Sequence, residues 1–363
     1  MPSIGTFPRV FALGGVVMAL YFAFIFDSSI LSQKKADPIV EQKTKQENDK
    51  QNDQLMKKLI EGSPYTLHAW TDSNGDKLEV RQAFERMRPN NQGYWIYAHR
   101  YIIIVMRDTV ILTQCENIIP KSMSPYYSNP MNWRINHKKM ISTYNSLQMA
   151  AGFMMESLTF TDSSKEQKIL QIGMGGGAVT SFLNQLPLNL RIDVVELEEE
   201  MYGVAKSFFE FPASSSKVRV FIEDGVEFLK LQTAKGSTFD SILLDASSNN
   251  ADIPILAPCP VFFQDDVIQM LSKLVGETGT LSVNIFAPKD PKKQQEKIRQ
   301  QYGKHFNTCF TLAYGHQYWM LFCTNRQGWS WNLRKPRFVK NLEEFDSKTN
   351  MHTARILVAH DRL

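Results

Sequence analysis

Apolar and polar positions along the chain follow two rhythms. From Tyr65 to Cys115 they form short runs rich in β-branched and aromatic residues. Tyr65 to Phe84 breaks at Asp72-Ser73-Asn74-Gly75-Asp76, and Tyr94 to Val105 turns at Arg107-Asp108 into Thr109 to Cys115. Strand-like runs around Asn-Gly predict hairpins, and hence a small β domain. From Tyr144 onward, strand-length apolar runs alternate with stretches of helical spacing. Leu147, Ala151, Met154 and Met155 predict a helix over Tyr144 to Met155. Buried strands are expected at Ile169 to Ile172, Arg191 to Leu197, Val218 to Ile222, Phe239 to Leu244 and Gly279 to Phe286. Helices are expected at Ala178 to Leu186, Val261 to Val275 and Lys292 to Tyr302, with a last hairpin of Thr308 to Ala313 and Gln317 to Cys323 about Gly315-His316. Five parallel-type strands closed by an antiparallel pair predict a seven-stranded α/β sheet.

Two earlier segments do not fit a core. Val10 to Phe26 is a run of 17 uncharged, mostly apolar residues between Arg9 and Asp27, and no small-x-small cleavage site precedes Asp27. Its length predicts a transmembrane helix acting as an N-terminal anchor, with the lipid bilayer as partner. The immediate flanks place the N-terminus in the cytosol, while Lys34, Lys35, Lys43 and Lys45 argue the reverse. No asparagine lies in an N-x-Ser/Thr sequon, and the expectation is a single-pass protein whose larger part leans cytosolic. Ser32 to Lys58 is polar and reads as a stalk. The resulting divisions are 1–31 anchor, 32–60 stalk, 61–140 β domain, 141–325 α/β domain and 326–363 C-terminal extension. The extension, with Trp329 and Trp331, is expected to dock on the α/β domain.

Charge and cysteine usage narrow the function little. Forty-one basic against 37 acidic side chains give +4, too balanced to point to nucleic acid. Cys115, Cys259, Cys309 and Cys323 have no metal-ligand spacing and are expected as buried free thiols. The histidines show no paired spacing, so no metal site is expected.

The candidate chemistry lies at strand ends. Lys168 to Gly177, KILQIGMGGG, is a strand running into Gly173, Gly175, Gly176 and Gly177 and then a helix. Glycines there let the backbone approach a ligand and take positive φ, and a helix N-terminus faces the turn. Glu196 ends the second strand about twenty residues on, where a nucleotide-binding unit places an acid for ribose hydroxyls. Asp224 and Gly225 follow the third strand and Asp245 the fourth, and ligands of open α/β sheets bind at that edge. The glycine pattern permits a dinucleotide on paper.

Several stretches carry a family likeness: Ile172 to Gly177, Asp193-Val194-Val195-Glu196, Phe208 to Phe211, Glu223 to Leu229 and Ala257-Pro258-Cys259-Pro260-Val261-Phe262. Between Tyr144 and Cys323 the chain resembles class I S-adenosylmethionine-dependent methyltransferases, in particular the group built like spermidine synthases, including the elongation factor 1-alpha lysine and N-terminal methyltransferases. The resemblance implies a Rossmann-like seven-stranded class I methyltransferase sheet, S-adenosylmethionine as cofactor, a protein amine as acceptor and a homodimer. It implies that Gly173, Gly175, Gly176 and Gly177 line the methionine part, that Glu196 holds the ribose and that Asp224, beside Gly225, accepts from the adenine amino group. Asp245 would stand near the cofactor's amino group or the acceptor, as the catalytic residue.

The sequence departs from the family in two places. Spermidine synthases resemble GGGDGG and DSSD where this chain has Gly176 and Ser248 in place of aspartates, so the acids that would hold a diamine are missing. The elongation-factor enzymes resemble DVDSKD where this chain has Asp245-Ala246-Ser247-Ser248-Asn249-Asn250. Three readings remain: a methyltransferase with a different acceptor, a catalytically inactive interaction protein, and an aminopropyltransferase.

Overall fold

The computed structural model describes residues 53–87, 95–105, 111–121, 124–162, 164–250 and 252–354. Two compact units divide between Asn136 and His137.

In the first unit, strands β1 (Tyr65–Thr71), β2 (Lys77–Met87), β3 (Trp95–Ile104) and β4 (Ile111–Glu116) form an antiparallel sheet in sequence order. The first turn is built locally. Asp72 Oδ1 accepts from the backbone of Asn74 and Asp76, and Gly75 takes φ +82°, a region glycine enters without steric cost. Residues 53–61, at the end of the expected stalk, are helical, and their Met56 and Leu59 pack with Phe84, Ala98 and Trp133. Arg100, Gln82 and Asn117 form a buried polar chain: Arg100 donates to Gln82 at 2.9 Å and Gln82 to Asn117 at 2.8 Å.

The second unit is a seven-stranded sheet in the order β10-β11-β9-β8-β5-β6-β7. Its strands are β5 (Gln167–Ile172), β6 (Leu190–Glu196), β7 (Val218–Ile222), β8 (Ser241–Leu244), β9 (Thr280–Phe286), β10 (Thr308–Ala313) and β11 (Tyr318–Thr324). Pairings from β7 through β9 are parallel, and β11 joins β9 and β10 antiparallel. Parallel strands buried on both faces need near-continuous apolar runs, which Ile169, Leu170, Ile172, Ile192, Val194 and Val195 supply. The chain runs outward from β5 to β7 and returns to the other side of β5 as β8. The order therefore reverses between β5 and β8, where a crevice opens at the strands' carboxyl ends. Ile172 is level with both Val195 and Leu244, so the turns after these strands start in one row.

The helix Thr143–Met154 is buried from Asn145 onward. The sheet unit lies against one side of it, and the helix Trp331–Thr349 packs on it through Phe345 beside Phe153. Arg326 donates to the Met155 and Glu156 carbonyls, and Asn341 to that of Met154, so the helix Trp331–Thr349 and the turn before it dock on this unit.

Three expectations need correction. No helix among the described residues is long and apolar enough to cross a membrane, and Val10 to Phe26 lies outside those residues. The described fold is thus the α/β sheet and the small β sheet, and the expected transmembrane helix, single-pass placement, cytosolic leaning and bilayer partner are unsupported. Cys309 and Cys323, expected as free thiols, face each other across β10 and β11 and form a disulfide. The single helix expected over Val261 to Val275 is a 3-10 turn, Pro260–Phe263, followed by the helix Asp265–Val275. Gln264 takes an extended conformation between them and Asp265 and Asp266 open the helix, where negative charge favours the dipole's positive end.

Candidate functional site

The glycine turn is held from below and from the side. Gln171, buried in β5, donates to the Gly173 carbonyl at 2.9 Å and accepts from Thr180 at 2.7 Å. Gly173 has φ +85°, and a Cβ there would meet the Asp245 carbonyl oxygen at 2.4 Å. Gly177, at φ +74°, leaves no room for a Cβ because the Phe211 ring would be 2.3 Å away. These two glycines thus let the turn close onto β8 and onto Phe211. Gly175, at φ +53°, and Gly176 lie between them on the turn.

Glu196 ends β6 beneath this turn. Its Oε2 accepts from the Met174 amide at 2.9 Å and its Oε1 from the Glu198 amide at 3.1 Å. Burial raises its pKa, and the amides of Glu198, Met174, Leu197 and Gly175 oppose that rise. The carboxylate therefore braces the glycine turn as well as standing at the strand end. Asp224 caps the helix Gly225–Ala234, with Oδ1 accepting from Val226 at 2.7 Å and Glu227 at 3.2 Å. The Glu223 amide ties this end of β7 to the Glu196 carbonyl. Gly225 is the first residue of that helix, and a Cβ on it would press on Ile172 at 3.1 Å. Two large apolar side chains stay open along this edge: Leu197 is 61% exposed and Ile222 is 40% exposed. Both offer apolar contact beside the strand-end acids.

Asp245, after β8, is held differently. Its Oδ1 accepts from Asn284 Nδ2 at 2.9 Å, and Tyr144 hydrogen bonds to the same carboxylate. Asn284 lies on β9, and its Oδ1 in turn accepts from the Tyr314 hydroxyl. Burial pushes the Asp245 carboxyl up to about 7, against the pull of Asn284 and Tyr144. Burial, with Tyr144 and Asp245 adjacent, holds the Tyr314 hydroxyl well above its usual range, so this hydroxyl stays protonated and donates. Rings continue outward from the carboxylate. Tyr144 stacks near Tyr314 at 6.2 Å, Tyr314 near Tyr318 at 5.7 Å, and Tyr318 on Phe286 at 4.5 Å. Aromatic faces attract cations, and a carboxyl titrating near neutrality exchanges protons readily at ordinary pH.

The loop after Asp245 is pinned over this end of the sheet. Cys259 donates its amide to Ala246, Ser248 to Leu256, and Phe286 to Ala257. Ser248 thus stands in a fastened loop with a hydroxyl where the diamine enzymes resemble an aspartate.

The structure gathers the glycine turn, Glu196 and Asp245 around the β5 end, with Asp224 and Gly225 along the same edge. Tyr144, Asn284 and Tyr314 were not singled out from the sequence. One signal for them existed: Asn284 stands between Val283 and Ile285 in a buried strand, and a carboxamide buried there needs a partner.

Residues 149–323 match the model of the spermine/spermidine synthase domain. An eEF1A lysine and N-terminal methyltransferase homolog of Drosophila melanogaster is 28% identical over 120 residues, which are 33% of this chain and 18% of that protein. A polyamine aminopropyltransferase of Vibrio vulnificus is 31% identical over 144 residues, 39% of this chain and 46% of that one. The chain thus spans less than half the length of either relative. The spermidine synthase of Thermotoga maritima superposes with a TM-score of 0.50 at 12% identity, covering 81% of this chain and 83% of that chain, a likeness of fold. The stretch that carries the glycine turn and the strand-end acids is therefore similar to the spermine/spermidine synthase domain and to these two relatives.

Proposed function

We propose that this protein is an S-adenosylmethionine-dependent methyltransferase acting on a protein amine, with Asp245 as the residue that takes the acceptor's proton. The observation that carries the reading is the Asp245 carboxyl, set at the β5–β8 crevice between Tyr144 and Asn284 and titrating at about 7. The donor set suits the cofactor: Glu196 and Asp224 are hydrogen-bond acceptors, and Leu197 and Ile222 offer apolar surface between them. When bound, S-adenosylmethionine supplies an electrophilic methyl group on a sulfonium. Glu196 would hold ribose hydroxyls, Asp224 the adenine amino group, and Gly173 to Gly177 the backbone approach to the remainder. The ring series Tyr144, Tyr314, Tyr318 and Phe286 would receive the amine as a cation. Asp245, once ionised, would take its proton and leave a neutral nucleophile, and alignment does the rest.

The protein-amine acceptor draws on the fly relative, whose name gives eEF1A lysine and N-terminal methyl transfer. Aminopropyl transfer has the family model behind it, but Gly176 and Ser248 leave Asp245 without the further carboxylates that a doubly charged amine requires. Calorimetry on the full chain separates the readings. S-adenosylmethionine should bind in preference to its decarboxylated form, and Glu196→Ala and Asp224→Ala should weaken it. Preference for the decarboxylated form would replace methyl by aminopropyl transfer. Binding of neither would leave an inactive interaction protein.

A further inference from the structure

The helix Thr143–Met154 turns one face to the carboxyl end of β8. Tyr144 reaches the Asp245 carboxylate, and Gln148 donates from Nε2 to the Leu244 carbonyl at 3.1 Å. Residues four apart lie on one helix face, so both side chains stand where β8 opens into the crevice. Gln148 is 0% exposed, yet its Oε1 accepts no hydrogen bond among the described residues. Asn145, three residues earlier on the same side, is 5% exposed and its Oδ1 is equally unpartnered. Buried carboxamide oxygens are costly to leave without a donor. Two of them on adjoining positions of one helix mark a place for an N–H group.

This inference rests on the cofactor reading above. S-adenosylmethionine has three kinds of donor: the adenine amine, the ribose hydroxyls and the α-ammonium. Asp224 and Glu196 lie at the ends of β7 and β6, on the far side of β5 from β8, and suit the first two. The α-ammonium is the donor left for the β8 side. We propose that Gln148 Oε1 accepts from the cofactor's α-ammonium, with Asn145 Oδ1 as a second neutral acceptor beside it. An amide oxygen fixes an ammonium without repelling the carboxylate borne on the same carbon, as an acid in that place would. Gln148 is thereby a binding residue for the amino-acid end of the cofactor.

The test compares two nucleosides on the full chain by calorimetry. S-adenosylhomocysteine carries the ammonium and 5′-methylthioadenosine does not. Gln148→Met is expected to weaken S-adenosylhomocysteine about tenfold, the effect of losing a hydrogen bond to a charged group, and to leave methylthioadenosine within about twofold. Gln148→Glu sets an acid against the cofactor's carboxylate and the Leu244 carbonyl, and should weaken S-adenosylhomocysteine while leaving methylthioadenosine within about twofold. Asn145→Ala should show a smaller loss with the same selectivity. Equal changes for both nucleosides, including loss of both through misfolding, would overturn the assignment, as would unchanged selectivity in Gln148→Met and Asn145→Ala. A wild-type chain that binds methylthioadenosine but not S-adenosylhomocysteine would sink this inference alone. One that binds neither would remove the cofactor reading beneath it.

Discussion

The two sides of the crevice hold their acids by different means. Glu196 and Asp224 are fastened by backbone amides within a few residues of a turn or a helix start, whereas Asp245 is fastened by the side chains of Tyr144 and Asn284, the latter held in turn by Tyr314. An acid on a backbone nest keeps its position as long as the local turn exists. An acid on side chains depends on three distant elements and can be retuned by changing any of them. The β6–β7 side is therefore built as a fixed seat, and the β8 side as an adjustable one.

The sharpest way to break this contrast is Asp245→Asn. It should lower methyl transfer by about a hundredfold or more, the usual weight of a general base, while S-adenosylmethionine binding measured by calorimetry stays nearly intact. Loss of both together would show that Asp245 belongs to the seat. The same variant tests the sign of the titration. In the wild-type chain the folded carboxyl binds its proton more tightly than the unfolded one, so its contribution to stability is fully present below about pH 4. That contribution fades as pH rises through about 7. Asp245→Asn should remove this slope, gaining on the order of 1–2 kcal/mol relative to wild type at pH 8, a figure discounted because part of Asp245 stays open to water. Activity should rise with pH through the same range in the wild type.

Gly173→Ala should cost about 2–4 kcal/mol in denaturant unfolding, because the new Cβ meets the Asp245 carbonyl and the residue sits at positive φ. Glu196→Ala leaves the Met174 and Glu198 amides without their partner, and about 1–3 kcal/mol of stability should go with the cofactor affinity. On the adjustable side, Asn284→Leu should move the midpoint of the pH–rate profile upward, since Asn284 favours the ionised carboxyl. Tyr314→Phe should do so by less, acting only through Asn284. The smallest effect is expected from Asp224→Ala, about 1 kcal/mol from the lost helix cap. Its cofactor binding should fall by more than this loss of stability explains.

The same contrast explains what the sequence could show. The glycine turn, the strand-end acids and the strand alternation are local, so spacing and apolar pattern placed β5 to β9 within a residue or two. The Asp245 seat was opaque because Tyr144, Asn284 and Tyr314 are separated by 30 to 170 positions, and nothing local ties them together. Tyr144 read only as part of a helix, and Tyr314 only as the flank of a hairpin turn. The Cys309–Cys323 pair was missed for a related reason. Fourteen residues apart, the two cysteines meet only through the β10–β11 register. The 3-10 turn at Pro260–Phe263 escaped because its apolar content matched the helix that follows.

The helix Trp331–Thr349 buries Phe338, Leu342 and Phe345 behind the helix that carries Tyr144 and Gln148. During synthesis, strands β1 to β11 leave the ribosome before this support does, at a rate of about 5–20 residues per second. The fixed seat can form while the chain is still growing. The adjustable seat waits for a segment packed behind its helix, so a fragment ending near Arg326 would keep the Glu196 and Asp224 edge while Tyr144 and Gln148 lose their backing.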